Sequence, residues 1–197
     1  VEEYEKLSKV LEYLQGKTDK KVIIFTKTKR SADQLADNLY AKGMKAMSIH
    51  GDKPQTERDY VLSKFKTAKT GVLVATDVAA RGLDVSDIDI VINYDFPGDI
   101  ESYIHRIGRT ARGNKEGIAI TYFTDENKNM SRKLYKVLVQ AKQEVPQWLE
   151  EIYKSTPRGA SKWNNYRGGR GGNGGNSGYG RNNSRFYGGY GRGNNHD

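Results

Sequence analysis

The sequence predicts an α/β domain built on a mainly parallel sheet with helices on both faces. Three observations carry that expectation. Along residues 1–154 the apolar side chains switch repeatedly between helical spacing and short continuous runs. The runs, such as Val22, Ile23, Ile24 and Phe25, suit strands covered on both faces. The stretches between them are long enough for the right-handed helical crossovers that parallel strands require.

Taken in order, Leu7, Val10, Leu11 and Leu14 give the first segment a helical stripe. The triplet Gly16-Lys17-Thr18 looks like the end of a phosphate-binding loop, but that loop needs another Gly five residues before the Lys, and position 12 is Glu. It also follows a helix, so it reads as a helix stop. Residues 22–25 form the first strand. Ser31 and Gln34 then stand at capping-box spacing, Ala32, Leu35, Ala36 and Leu39 share a face, and Gly43 ends the helix. A strand is expected over 44–50, a helix over 54–66 with Val61, Leu62 and Phe65 inward, and a buried strand at 72–75. A strand over 89–93, a helix from about Asp99, a strand over 117–123 and closing helices around Leu134 and Trp148 complete the series.

Composition divides the chain. From 157 to 197, 41 residues hold 13 Gly, 8 Asn and 7 Lys or Arg with a single acid, Asp197, and so carry +6 of the formal +9. With almost no aliphatic residue to bury, this segment cannot offset the entropy of ordering its backbone. Residues 1–155 are therefore expected to form the domain and 156–197 a disordered Arg/Gly/Asn/Tyr-rich tail. The basic balance favours a polyanionic partner, nucleic acid or an anionic membrane surface. No run approaches the roughly 20 apolar residues of a membrane-spanning helix, and no apolar N-terminal signal is present. The absence of cysteine rules out disulfides, thiol nucleophiles and thiolate metal sites. Opening on Val1, the chain is expected to be a fragment or a processed product.

In an open parallel sheet, ligands bind beyond the carboxyl ends of the strands. The loops expected there are Thr26-Lys27-Thr28-Lys29-Arg30, His50-Gly51-Asp52-Lys53, and the stretch from Thr76 and Asp77 through Arg81 and Gly82 to Asp84. Any one of them could be an ordinary turn. Three on one edge, all rich in hydroxyls, Gly and cations, supply the donors and charge that a sugar-phosphate backbone needs. The segment 103–113 adds three arginines, Arg106, Arg109 and Arg112, within seven residues. If it stays helical, Arg109 and Arg112 project from one face and both reach one polyphosphate. A solvated basic face is the plain alternative. His105 alone is more often packed than catalytic, and Asp95 after the fourth strand has no paired acid nearby to hold a metal.

With these residues in view, the globular part closely resembles the C-terminal RecA-like half of DEAD-box RNA helicases. Residues 22–30 are similar to family motif IV, Gln55-Thr56-Glu57-Arg58 to the Q-x-x-R element, 75–84 to motif V, 94–97 to motif Va and 105–112 to motif VI, all in family order. The wording of these motifs is nearest to the p68-like subgroup, with Ala111 where much of the family has Gly, a departure that bears on subgroup and not on activity. The resemblance implies a RecA-like fold lacking its own P-loop. It also implies that Arg109 and Arg112 are arginine fingers for the γ-phosphate of ATP held by another domain, and that His105 links nucleotide state to the inter-domain contact. Asp84, with Gly82, matches the acid near the ribose and the attacking water. Thr28, Gly51, Gln55, Arg58, Thr76 and Arg81 match positions that touch or support RNA phosphates and sugars. ATP and Mg²⁺ are expected to be bound mainly by the family's N-terminal RecA-like domain, with no metal ligand in this chain. The expected partners are that domain and RNA, as a single strand or short duplex with little sequence preference. No membrane association is expected. The chain is expected to be a monomer, located in the nucleus with the cytoplasm as a second location, and inactive in ATP hydrolysis by itself.

Two other readings stay open at this point. A non-enzymatic RNA-binding or annealing module would be driven by the tail, where Trp163, Tyr166, Tyr179, Phe186, Tyr187 and Tyr190 interleave with cations and offer rings on which bases stack. A flavodoxin-type small-molecule domain would need a glycine-rich phosphate loop opening a helix, and the sequence has none.

Overall fold

The computed structural model describes residues 1–80, 85, 87–111 and 116–155. The chain divides into two units, Val1–Arg158 and Gly159–Asp197, and the fold is that of the first. The expected tail, together with Arg81, Gly82, Asp84 and Arg112, lies outside the described residues.

Five strands, β1 (Lys21–Thr26), β2 (Ala46–Ile49), β3 (Gly71–Thr76), β4 (Ile90–Asn93) and β5 (Ile118–Thr121), form one sheet in the order β2-β3-β1-β4-β5. Every pairing is parallel. The helices are α1 (Lys6–Leu14), α2 (Lys29–Ala41), α3 (Gln55–Thr67), α4 (Asp77–Ala80), α5 (Ile100–Ile107), α6 (Ser131–Gln140) and α7 (Gln147–Ser155). β1 is central and buried along its whole length, which is why it reads as a continuous apolar run. Its alternate residues feed two cores. Val22 and Ile24 meet Val10 and Leu14 of α1 and Leu35 and Leu39 of α2 on one face, while Ile23 and Phe25 meet Val61 and Phe65 of α3 on the other. Each such fully buried side chain is worth ~1.5–3 kcal/mol of transfer free energy. A third cluster, in which Phe96 stacks on Tyr103 at 5.5 Å, joins α5, α6 and α7.

Register decides where the functional edge lies. Thr26 stands beside Thr76, Ile49 beside Ala75, Phe25 beside Asn93, and Asn93 beside Thr121, so all five carboxyl ends align. The chain passes from β1 over β3 to β2, and later from β3 over β1 to β4, so the winding reverses at β1. That reversal opens the crevice in which doubly wound sheets bind ligands.

The predicted elements are all present, with local corrections. α2 starts earlier than the Ser31–Gln34 spacing suggests: extended Thr28 is the cap, its hydroxyl accepting from the Ser31 N–H, so Ser31 sits inside the first turn. The strands over 44–50 and 117–123 are shorter than expected, and α4 had no sequence signal. Gly16, at φ +77°, ends α1 as the glycine suggested. The condition that 103–113 stay helical is not met, because α5 stops at Ile107 with Gly108 as its C-cap.

Candidate functional site

α5 is set by its own sequence. The Asp99 carboxylate caps it by accepting from the Ser102 N–H at 2.6 Å, and Ile100, Tyr103 and Arg106, spaced three apart, turn inward. Burying a guanidinium is costly unless every donor is engaged. Arg106, 4% exposed, has all three of its nitrogens hydrogen-bonded. Its Nε and Nη2 each donate to one oxygen of Asp77 at 2.7 Å, and Nη1 donates to Asn93 Oδ1 at 3.1 Å and to the Asp95 carbonyl at 2.8 Å. The guanidinium carbon lies 4.9 Å from the centroid of the Phe25 ring. One side chain thus ties together the ends of β1, β3 and β4 at the winding reversal, and Asn93 extends the network to Thr121 of β5 at 3.0 Å.

With Arg106 fixed, its neighbours face a cavity of about 220 Å³ lined by Phe25, Asp77, Glu101, Ser102, His105 and Arg109. His105 is exposed, not packed. Beyond Gly108 the chain is clamped in place. The Thr110 hydroxyl donates to the Ile88 carbonyl at 2.7 Å, and Ala111 takes φ +56°. Gly117 passes so close that a Cβ there would lie 2.1 Å from Thr110 Oγ1 and 2.5 Å from the Ala111 nitrogen. Arg109 therefore lines the cavity from a turn beyond the end of α5, where Thr110 is held to the residues before β4.

The other edge loops touch one another. Lys29 forms an ion pair with Asp52 whose hydrogen bond holds the Asp52 carboxyl below its usual range. This links the loops after β1 and β2. A Cβ on Gly51 would come within 3.8 Å of Val78, which brings the second loop against α4. Thr28 is exposed on this surface, Gly51 is exposed beside it, and Thr76 is buried at the end of β3. Arg58 Nη2 donates to Gln55 Oε1 at 2.5 Å on the first turns of α3, so those two residues orient each other. Below the second loop, Asp33 accepts from the Ser48 hydroxyl at 2.6 Å and lies 3.0 Å from Nε2 of buried His50. Burial raises the Asp33 pKa, but these hydrogen bonds outweigh it and hold the carboxyl below its usual value.

The structure thus gathers Thr28, Gly51 and Thr76 along contiguous loops and brings His105 and Arg109 to one cavity, with Asp77 and Arg106 among its lining. Asn93 and Asp33 were not singled out from sequence, and Arg106 and Asp77 were named only as members of the arginine run and of the loop after the third strand, with no role of their own. The signal for Arg106 was present: it continues the inward stripe of Ile100 and Tyr103. Asp95, expected as a lone carboxylate, accepts from Lys6 Nζ at 2.8 Å and from the Lys27 N–H at 2.7 Å. Among the described residues no three His, Cys, Asp or Glu side chains converge as a metal site.

Comparison with known proteins agrees with this arrangement. The family model "Helicase conserved C-terminal domain" matches residues 4–114. The ATP-dependent RNA helicase DBP2 of Scheffersomyces stipitis is 46% identical over 184 residues, covering 92% of this chain and 34% of that protein. DBP2 of Eremothecium gossypii is 50% identical over 155 residues, covering 79% and 28%. The chain thus spans about a third of the length of these curated relatives. Among solved structures, the C-terminal domain of the DEAD-box protein Dbp5 aligns with a TM-score of 0.64 and 33% identity over 78% of this chain and 92% of that one. The RNA helicase Prp28 of Chaetomium thermophilum bound to ADP aligns with a TM-score of 0.69 and 33% identity over 76% and 37%. From the winding reversal at β1 to the motif order along the carboxyl edge, sequence, fold and comparison agree that this chain belongs to the helicase conserved C-terminal domain family, in its DEAD-box branch.

Proposed function

We propose that the chain works as the C-terminal half of an ATP-dependent RNA helicase, gripping the RNA backbone and completing an ATP site begun on an N-terminal RecA-like domain. The observation that carries this reading is the Arg106 fork on Asp77. It presents His105 and Arg109 to a cavity at the carboxyl edge, beside the loops that bear Thr28, Gly51 and Thr76.

The chemistry follows from the side chains. In the cavity the Asp77 charge is matched by Arg106, and Arg109 and His105 line the same space together with Glu101. A guanidinium brought to a transferring phosphoryl group stabilises the charge that develops there, worth ~10³–10⁵ in rate. Arg109 and Arg112 take that role, with Asp84 and Gly82 beside the nucleotide, and His105 couples nucleotide state to the facing domain. A nucleotide phosphate would meet Arg109 at this edge, and the likeness to an ADP-bound helicase supports a nucleotide there. Mg²⁺ binds through one or two carboxylates plus substrate phosphates. The family's other domain is where those carboxylates are expected.

On the RNA side, Thr28 and Thr76 offer hydroxyls, Gly51 an accessible backbone, and Arg58 and Arg81 positive charge, with Gln55 orienting Arg58. Contacts to phosphate and sugar position a strand without reading its bases, and 2′-hydroxyl contacts separate RNA from DNA. The test uses the full-length protein that contains this chain. In an RNA-stimulated ATPase assay, Arg109→Ala and Arg112→Ala are each expected to lower turnover by about 10³-fold or more with RNA affinity nearly unchanged. Turnover equal to the unsubstituted protein in either variant would overturn that assignment.

A further inference from the structure

A roomy, mainly apolar hollow lies away from the carboxyl edge. It is a groove of about 570 Å³ at the amino ends of β2 and β3, lined by Tyr40 of α2, Ala46 and Met47 of β2, and Phe65 and Ala68 at the end of α3. Tyr40 is 72% exposed, a large ring left in water beside half-buried Ala46, Met47 and Ala68. Such a volume falls within the ~300–1,000 Å³ of pockets that hold small ligands or anchoring side chains. β2 is the edge strand, and its outer side pairs with no strand among the described residues. An unpaired edge offers main-chain hydrogen bonds to an extended peptide.

Charge tells which peptide. Residues 40–47 and 60–71 around the groove contain Lys42, Lys45, Lys64, Lys66 and Lys69 and no acid. All five lysines are exposed. The chain's own segment 157–197 is a poor occupant, because it carries seven cations and one acid. A nucleic acid would use the lysines but neither the free strand edge nor the apolar floor. We propose that this groove is a docking site for a short acidic segment of another protein, which lays an apolar or aromatic side chain between Tyr40 and Met47 and runs beside β2. Lying at the opposite ends of the strands from the loops of the carboxyl edge, the site leaves those loops free. Lysines at a rim steer association and select sign, while the buried anchor supplies most of the affinity.

The experiment pans the 197-residue chain against a display library of short random peptides, then measures the enriched peptides by fluorescence anisotropy. Enriched sequences are expected to be net acidic with one large apolar residue. Their binding should weaken by about tenfold or more in Tyr40→Ser and in the double reversal Lys45→Glu with Lys69→Glu. These positions are exposed, so the fold should persist. Reversing Lys133 and Lys136 to Glu on α6 should leave binding unchanged, and saturating poly-uridine RNA should not compete. Enrichment of neutral or basic peptides, no enrichment, insensitivity to the Lys45 and Lys69 reversals, or displacement by the RNA would overturn the proposal. So would self-association of the chain that Lys45→Glu abolishes, which would make the occupant a second copy.

Discussion

Arg106 holds a full positive charge at 4% exposure, and it is tolerated because five of its contacts are fixed by strand ends. Its partner Asp77 keeps 39% of its side chain in solvent. Removing one member of a buried pair costs ~3–5 kcal/mol, since the other charge remains desolvated. Water can reach the Asp77 side, so Asp77→Ala is expected at the lower end, about 3 kcal/mol, seen as a lower urea midpoint. Arg106→Lys should be comparably damaging, because an ammonium cannot reproduce the fork. A loss below about 1 kcal/mol, the scale of a surface pair, would show that Arg106 does not organise the edge. The residue's type was legible in the sequence, but its burial was not. Three arginines in seven positions read alike until tertiary contacts send one inward.

α1 shows how an element outside the sheet is coupled to this edge. Lys6 is buried and donates to Asp95, whose other oxygen accepts from the Lys27 N–H, so α1, the turn after β4 and the loop after β1 share one carboxylate. Burial lowers the Lys6 pKa, yet the hydrogen bonds to Asp95 and Glu3 outweigh it and leave it above its ordinary 10.5. A group whose pKa is raised by folding contributes its full stability below the unfolded value and loses it as pH rises through the folded one. Tyr122, pushed up to about 12 by burial, acts in the same window, since its neutral phenol is favoured inside. Thermal midpoints should therefore hold steady from neutral pH and fall as pH passes above 10.5. The deficit of Lys6→Met should be largest near neutrality and narrow through that alkaline range. A gap of constant size would rule out the charged Lys6–Asp95 pair as the link. The helix itself was readable from Leu7, Val10, Leu11 and Leu14. Its tether was not, because the partner stands 89 residues away.

For the whole molecule, charge is divided unevenly: residues 157–197 carry +6 of +9, which leaves a mixed-charge domain whose proposed grip on RNA rests on where a few groups stand. Each phosphate neutralised on single-stranded nucleic acid adds ~0.7 to the slope of log affinity against log salt. Deleting 156–197 from the full-length protein should therefore weaken RNA binding and reduce that slope, while RNA-stimulated ATP turnover at saturating RNA is retained. Loss of nearly all RNA binding, with no salt-sensitive remainder, would favour the annealing-module reading driven by the tail.

The sequence by itself determined the fold class, because continuous apolar runs and helical stripes are local patterns that only a parallel sheet covered on both faces can bury. It also determined the family, through motifs that keep their order along the chain. Where helix α5 ends, which arginine is buried and which reach the cavity were decided by the tertiary structure. Thr110 is held by Ile88, Gly117 presses on the turn, and Arg106 finds Asp77 29 residues away. Those contacts join distant segments, and no local pattern encodes the energy of a bond whose two ends meet only after the sheet has formed.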